Sequence, residues 1–325
     1  MKILVTGGTG FLGRHLATKL LSSGHRVHLL GRNFAQVEQL LAAGAIPLAA
    51  DLRDEAAVRA ACAGVEVVYH VGALSAPWGK RADFHAINVA GTEAVLAGCQ
   101  EHGVRRLIYV SSPSVIFDGH DHYDLTEDAP YPRRFTSVYS LTKKLGEDRV
   151  RAAPAPLETV IVRPKAMFGP GDRALLPRLI AAAGRGRLPQ IGDGCNLVDL
   201  TYVENVAHAL VLALEARAAV GKTYFITNDE HLPLWDIIRS VLQGLGLASR
   251  LRPISLNTAL AAAALMEMQA ALTGKEPLLT RYAVTILART QTYDMSAARR
   301  DLGYTPLVSI AQGIEATLQA LTGEA

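Results

Sequence analysis

Tyr139 and Lys143 stand four residues apart in the segment Tyr-Ser-Leu-Thr-Lys. On a helix that spacing puts a phenol and an ammonium on one face, their Cβ atoms about 5–6 Å apart. A free tyrosine titrates at about 10, and a neighbouring cation favours the phenolate and lowers that value. The pair therefore predicts a tyrosine that exchanges a proton with a substrate oxygen near neutral pH. Ser111, Ser112 and Ser114 follow the apolar run 107–110. A serine at a strand end can donate to a carbonyl as charge develops on its oxygen. The simpler reading, strongest for Ser114, is a strand-end turn, where serine is common.

Residues 1–13 supply the element that would position such a site. They read Met-Lys-Ile-Leu-Val-Thr-Gly-Gly-Thr-Gly-Phe-Leu-Gly. Apolar residues 3–5 predict a buried strand, and Phe11, Leu12, Leu16, Leu20 and Leu21 recur at helical spacing. Strand, glycine turn and helix make a dinucleotide-binding opening. Gly7 permits the tight turn, Gly10 lets backbone approach a pyrophosphate, and Gly13 lets the helix lie close to the strand. Phosphates then meet free N–H groups at the helix N-terminus. The second strand ends Leu29-Leu30-Gly31-Arg32-Asn33, without an acidic residue to grip a ribose 2′-OH. Arg32 offers a planar fork suited to a 2′-phosphate. NADP(H) is favoured, and NAD(H) stays open if Arg32 only stacks on adenine.

Strands are expected at 3–5, 27–30, 46–49, 65–70, 107–111 and 160–162, with helices at 12–22, 35–43, 55–62, 84–101 and 139–152 between them. Near-continuous apolar strands alternating with helices predict an α/β fold, a doubly wound parallel Rossmann sheet. After Arg163-Pro164 the pattern changes to the turn cluster Gly169-Pro170-Gly171-Asp172, a helix at 174–184 and the turn Gly192-Asp193-Gly194. Residues 223–227 look like a strand returning to the sheet, and 234–325 are largely helical. The expected division is a dinucleotide-binding domain of 1–163 and 199–227, with a smaller, mostly helical substrate lobe of 164–198 and 228–325.

The 325 residues are 50% hydrophobic and 19% charged with a net charge of +3, a globular composition without a basic block for nucleic acid. Arg185, Arg187, Arg299 and Arg300 read as solvated helix ends. Cys62, Cys99 and Cys195 show no metal-ligand spacing, so no metal is expected. A reducing, cytoplasmic setting fits, with neither a signal peptide nor a spanning segment in view. Residues 258–272 are rich in alanine, leucine and methionine. They read as a buried helix, as the lining of a greasy substrate entrance, or as a lid in peripheral contact with a membrane.

The chain resembles the extended short-chain dehydrogenase/reductase superfamily over essentially its whole length. The resemblance rests on residues 6–13, Asp51-Leu52, Asn88-Val89-Ala90-Gly91-Thr92, Ser111-Ser112, Tyr139 to Lys143, Arg163-Pro164 and Phe168-Gly169-Pro170-Gly171. Ser112-Pro113-Ser114-Val115, residues 198–203, Pro277-Leu278-Leu279-Thr280-Arg281 and residues 298–304 make it most similar to the 3β-hydroxysteroid dehydrogenase branch and its bacterial 2-alkyl-3-oxoalkanoate reductases. The resemblance implies that Tyr139 donates or accepts the proton, and that Lys143 lowers its pKa and holds the nicotinamide ribose. Ser112 orients the substrate oxygen, with Ser114 the fallback. Gly7, Gly10, Phe11 and Leu12 meet the pyrophosphate, Asp51 and Leu52 border adenine, and Pro164 and Met167 back the nicotinamide. The fourth strand departs from the usual pattern by ending His70-Val71-Gly72-Ala73, where Gly72 still keeps backbone close to the cofactor. Asn88 is expected to support the serine strand or contact the active site, or else to make a structural helix-to-loop hydrogen bond. A homodimer through 84–101 and 139–152 follows from family analogy alone.

Leu74, Trp78, Val115, Phe117 and Phe168 are candidate substrate contacts, and each could equally be core. Their apolar character favours a hydrophobic ketone or secondary alcohol. The leading expectation is an NAD(P)-dependent dehydrogenase/reductase on a 3β-hydroxysteroid or 2-alkyl-3-oxoalkanoate. The competing readings are an NAD-dependent sugar-nucleotide epimerase or dehydratase, which needs polar contacts to a diphosphate, and a non-catalytic NADPH-binding regulator, which could dispense with Tyr139 and Lys143.

Overall fold

A computed structural model of the chain describes residues 1–172, 175–184, 188–247 and 251–323. Seven apolar stretches form the central sheet: β1 (Lys2–Thr6), β2 (Arg26–Gly31), β3 (Ile46–Ala49), β4 (Val67–His70), β5 (Arg106–Val110), β6 (Glu158–Pro164) and β7 (Thr223–Ile226). Every neighbouring pair is parallel, in the order β7-β6-β5-β4-β1-β2-β3. The winding reverses between β1 and β4. In open α/β sheets, ligands lie outside the strand C-termini at such a switch point.

Side chains alternate across a strand, so each strand feeds two cores. Ile3 and Val5 face Leu16 and Leu20 of the helix Phe11–Ser22. Leu4 joins Val58, Val95 and Cys99 on the opposite face. β5 divides the same way, with Ile108 and Val110 in one core and Leu107 and Tyr109 in the other.

The helix expected at 84–101 begins earlier and is interrupted. It runs Arg81–His85, loosens into a π-turn at Ala86–Ala90, and resumes as Gly91–Glu101. A π-turn adds one residue to a helical turn, and such bulges cluster at functional sites. Here it carries the buried Asn88. The helix expected at 174–184 is seen as Leu175–Gly184; position 174, Arg185 and Arg187 lie outside the described residues.

The rest of the chain builds a second layer of short elements. Leu232–Pro233, Leu197–Val198, Gln291–Tyr293 and His122–Leu125 pair in a four-stranded sheet, so the first half of the chain contributes a strand to it. Trp235, Ile238, Leu242, Ala259, Ala263 and Val284 share its main apolar cluster. Met295, Ala298, Leu302 and Tyr304 return to the sheet core around Phe225. The helix Leu256–Thr273 buries Ala259, Ala263 and Ala270 and exposes Leu265, Met268 and Leu272, so it is neither wholly buried nor conventionally amphipathic. Among the described residues no helix is long and apolar enough to cross a membrane.

Candidate active site

β1 ends in Thr6, and the chain turns at Gly7 with a φ of +64°. A Cβ on Gly7 would stand 2.6 Å from Gly72 Cα, and one on Gly13 would stand 2.2 Å from the Gly7 carbonyl oxygen. Turn, β4 loop and helix therefore touch backbone to backbone, which any side chain would prevent. Gly10 is the N-cap of the helix Phe11–Ser22 and brings no side chain to its first N–H groups. Those N–H groups and the dipole make an anion site. Leu52 closes the side of the cradle, its Cδ1 2.9 Å from where a Gly72 Cβ would be. Buried His70 braces the floor between Thr6 Oγ1 (2.7 Å) and Thr92 Oγ1 (3.0 Å). Burial, with Lys143 nearby, lowers its pKa to about 3 and keeps it neutral. This bare-backbone cradle fits a dinucleotide pyrophosphate. At its far end Arg32 is exposed and 3.6 Å from the Asp51 carboxylate. Arg53 grips that carboxylate through Nε and Nη2, both at 2.9 Å, and holds its pKa down to about 2.

Across the crevice the helix Val138–Arg151 starts under Ser137, whose Oγ accepts the Ser140 N–H at 3.0 Å. Tyr139 sits in the first turn, half-buried, and its hydroxyl interacts with those of Ser112 and Ser75. Ser112 ends the extended run from β5, and its Oγ accepts the Ser114 N–H at 3.2 Å. Strand alternation sends Ser111 the other way, toward Glu147.

The expected lowering of the Tyr139 pKa by Lys143 is not found. Burial raises the phenol above its ordinary value, and only the Ser75 and Ser112 hydroxyls pull it back. Lys143 is itself buried, and its Nζ donates to the Val110 carbonyl at 2.7 Å and lies 4.0 Å from the centre of the Tyr109 ring. Burial brings the amine down to about 7, opposed by the Glu147 carboxylate. Desolvation of both groups outweighs the attraction that the i, i+4 spacing suggests. One turn further, Glu147 accepts from Arg163 Nε (2.8 Å) and Nη2 (2.7 Å) and from the Tyr131 hydroxyl (2.5 Å). That buried ion pair fixes the helix to β6.

Asn88 anchors the loop after β4. Its Oδ1 accepts the Leu74 N–H at 2.7 Å, and its Nδ2 donates to the Leu74 carbonyl and to Thr142 Oγ1, both at 3.1 Å. Of the roles expected for Asn88, the structure shows the helix-to-loop bond, extended to the Tyr139 helix. Leu74 and Trp78 are half-buried on that loop. Val115 is fully buried in the sheet core, and Phe168 is buried against Val198, Leu200 and Tyr202. Phe117 is buried too, its ring 6.5 Å from that of Tyr282. Pro164 closes β6 beside Ile226, and half-buried Met167 pairs with Thr201.

Ser75 and Tyr282 are brought to the site without any sequence expectation. Ser75 lies on an irregular loop with no periodicity, and Tyr282 comes from a helix 143 positions after Tyr139 (282 − 139). The Tyr139 hydroxyl thus has those of Ser112 and Ser75 as neighbours. Such a cluster can hold the oxygen of a carbonyl or alcohol and exchange a proton with it. Fold and site together define an NAD(P)-dependent oxidoreductase of the extended short-chain dehydrogenase/reductase type, an enzyme acting on CH–OH groups.

The sequence profile of the 3-beta hydroxysteroid dehydrogenase/isomerase family matches residues 4–257, and the chain belongs to that family. It is 42% identical over 323 residues to a 2-alkyl-3-oxoalkanoate reductase of Stenotrophomonas maltophilia, covering 97% of each chain. It is 34% identical to a decarboxylating sterol-4-alpha-carboxylate 3-dehydrogenase of Mus musculus, over 98% of this chain and 90% of the other. Its fold is also that of the UDP-glucuronic acid 4-epimerase from Bacillus cereus solved in complex with NAD, with a TM-score of 0.78, 24% identity and 99% of each chain covered.

Proposed function

We propose that the protein is an NADP(H)-dependent reductase of long-chain 2-alkyl-3-oxoalkanoates, working reversibly on the matching 3-hydroxy acids. The interaction of the Ser112 and Tyr139 hydroxyls, in a chain whose first strand ends in a bare glycine cradle, supports this reading. The near full-length likeness to a reductase of that name supports the substrate class. Gly7, Gly10, Phe11, Leu12 and Gly13 hold the pyrophosphate, Asp51 and Leu52 border adenine, and Gly72, Pro164 and Met167 back the nicotinamide. Lys143 and Tyr139 hold its ribose, and the bound nicotinamide supplies or takes the hydride. Ser112 orients the substrate oxygen. Tyr139, kept protonated by burial at neutral pH, donates its proton as the carbonyl carbon is reduced. Leu74 and Trp78 face the alkyl chains, and buried Phe117 backs that wall.

The NADP(H) preference rests on Arg32. Arg53 holds Asp51 at 2.9 Å while the exposed Arg32 stands 3.6 Å from it, so the Arg32 fork can turn to a 2′-phosphate. Titration with NADPH and NADH, followed by nicotinamide fluorescence, tests it. NADPH should bind more tightly, and the margin should collapse in Arg32→Ala. Tight NADH binding indifferent to Arg32 would overturn the preference. Tyr139→Phe should lower kcat/KM on the 3-oxo acid by roughly 10²–10⁴-fold while still binding NADPH. An active Tyr139→Phe enzyme would overturn the assignment of the proton donor.

A further inference from the structure

Tyr282 stands in the first turn of the helix Arg281–Ala288. Buried Thr280 caps that turn, accepting the Ala283 N–H at 3.1 Å. Arg281 is pinned outward to Glu267, its Nε 2.7 Å from Oε2. Tyr282 points the other way, its ring edge-on to buried Phe117 at 71°. Its hydroxyl lies near those of Ser114 and Ser140 without closing a hydrogen bond to Ser114, and Tyr139 is close enough for the two phenols to feel each other's charge. Ser114 is buried, and among the described residues its Oγ has no partner at hydrogen-bonding distance. Buried hydroxyls are ordinarily satisfied, and one that is not calls for a ligand or a solvent partner.

Two phenol–serine pairs therefore lie side by side. Tyr139 lies beside Ser112 and Tyr282 beside the unpartnered Ser114, and the Ser114 N–H donates to Ser112 Oγ. The first pair suits the reacting oxygen. The second has no task in the chemistry described so far. Burial holds Tyr282 above the ordinary tyrosine range, so it stays a neutral donor at any pH the enzyme meets. A 3-oxo acid carries a second oxygen group, its carboxylate, β to the reacting carbon, and needs a second donor set beside the first.

We propose that Tyr282 and Ser114 form a specificity site that donates to the carboxylate of the 3-oxo or 3-hydroxy acid. The inference rests on the substrate class proposed above and assigns residues to one part of it. The test compares oxidation, with NADP present, of a 2-alkyl-3-hydroxyalkanoate and of a secondary alcohol of the same chains lacking the carboxyl group. The wild type should prefer the acid. In Tyr282→Phe the acid-to-alcohol ratio of kcat/KM should fall at least about tenfold, the loss expected for one charge-assisted hydrogen bond. Ser114→Ala should move the ratio the same way and carries the test if Tyr282→Phe no longer binds NADPH. A wild type that prefers the acid, with variants keeping the ratio within about twofold, overturns this inference and leaves the proposed function standing. A wild type without preference for the acid overturns both.

Discussion

Lys143→Met should make the cofactor-free protein more stable at pH 7 while abolishing turnover. The amine is 2% exposed, and its pKa falls from the ordinary 10.5 to about 7. That drop of about 3.5 units (10.5 − 7), at about 1.4 kcal/mol each, is a penalty of about 4–5 kcal/mol carried by the folded state while the unfolded amine is charged. Removing the amine orphans the Val110 carbonyl, its 2.7 Å partner, at a cost of about 1–3 kcal/mol. Methionine refills most of the volume. The net expectation is a gain of about 1–4 kcal/mol at pH 7. Between pH 7 and about 10.5 the unfolded chain holds a proton that the folded chain has shed, so wild-type stability climbs with pH through this group. The variant lacks that climb, and its advantage should vanish and become a deficit by about pH 10. Urea unfolding followed by circular dichroism at pH 7, 8, 9 and 10 reads the difference directly. A variant less stable than the wild type at pH 7, or a difference flat with pH, would refute the claim that burying this amine costs the folded state stability.

Glu147→Ala should cost about 3–5 kcal/mol, because it leaves the guanidinium of Arg163, 1% exposed, buried without its carboxylate. Thermal unfolding measures the loss, and one under about 1 kcal/mol would mean that Arg163 finds another acceptor. Pairing with Arg163 holds the Glu147 pKa below its ordinary 4.5, so this stabilisation is complete above that value and should fade as pH drops below it. Gly13→Ala puts a methyl 2.2 Å from the Gly7 oxygen. It should push the helix off the turn and weaken NADPH binding by more than about tenfold, and near wild-type affinity in the fluorescence titration would contradict the tight-cradle account.

The cofactor half was legible because its signals are local. β3 covers the expected 46–49, and the glycine turn and the Tyr139 helix fall where their spacing puts them. Their causes, apolar continuity and backbone sterics, act within a dozen residues. The π-turn at Ala86–Ala90 was not legible, because it answers to the hydrogen bonds Asn88 makes with Leu74 and Thr142, partners fixed only by the fold. The two-residue strands of the second layer have no period to detect. The Tyr139–Lys143 pair shows the limit most clearly. Spacing gave their neighbourhood, but the protonation energetics depend on burial, which belongs to the whole molecule. Ser75 and Tyr282 reach the site through loop and lobe geometry that no spacing encodes.

The outermost position of β7 has a consequence for biosynthesis. β6 is finished at Pro164, yet its outer edge is covered only when Thr223–Ile226 arrives, through Ile161 donating to the Lys222 carbonyl (3.0 Å) and Lys165 to the Ile226 carbonyl (3.0 Å). A nascent chain that has emerged only as far as the short strand Leu197–Val198 displays a bare parallel edge next to Val160 and Val162, both fully buried in the finished protein. Such an edge is a template for pairing between chains. Premature stops in that interval would release chains with that edge bare, although nearly all of the cofactor cradle has by then been made.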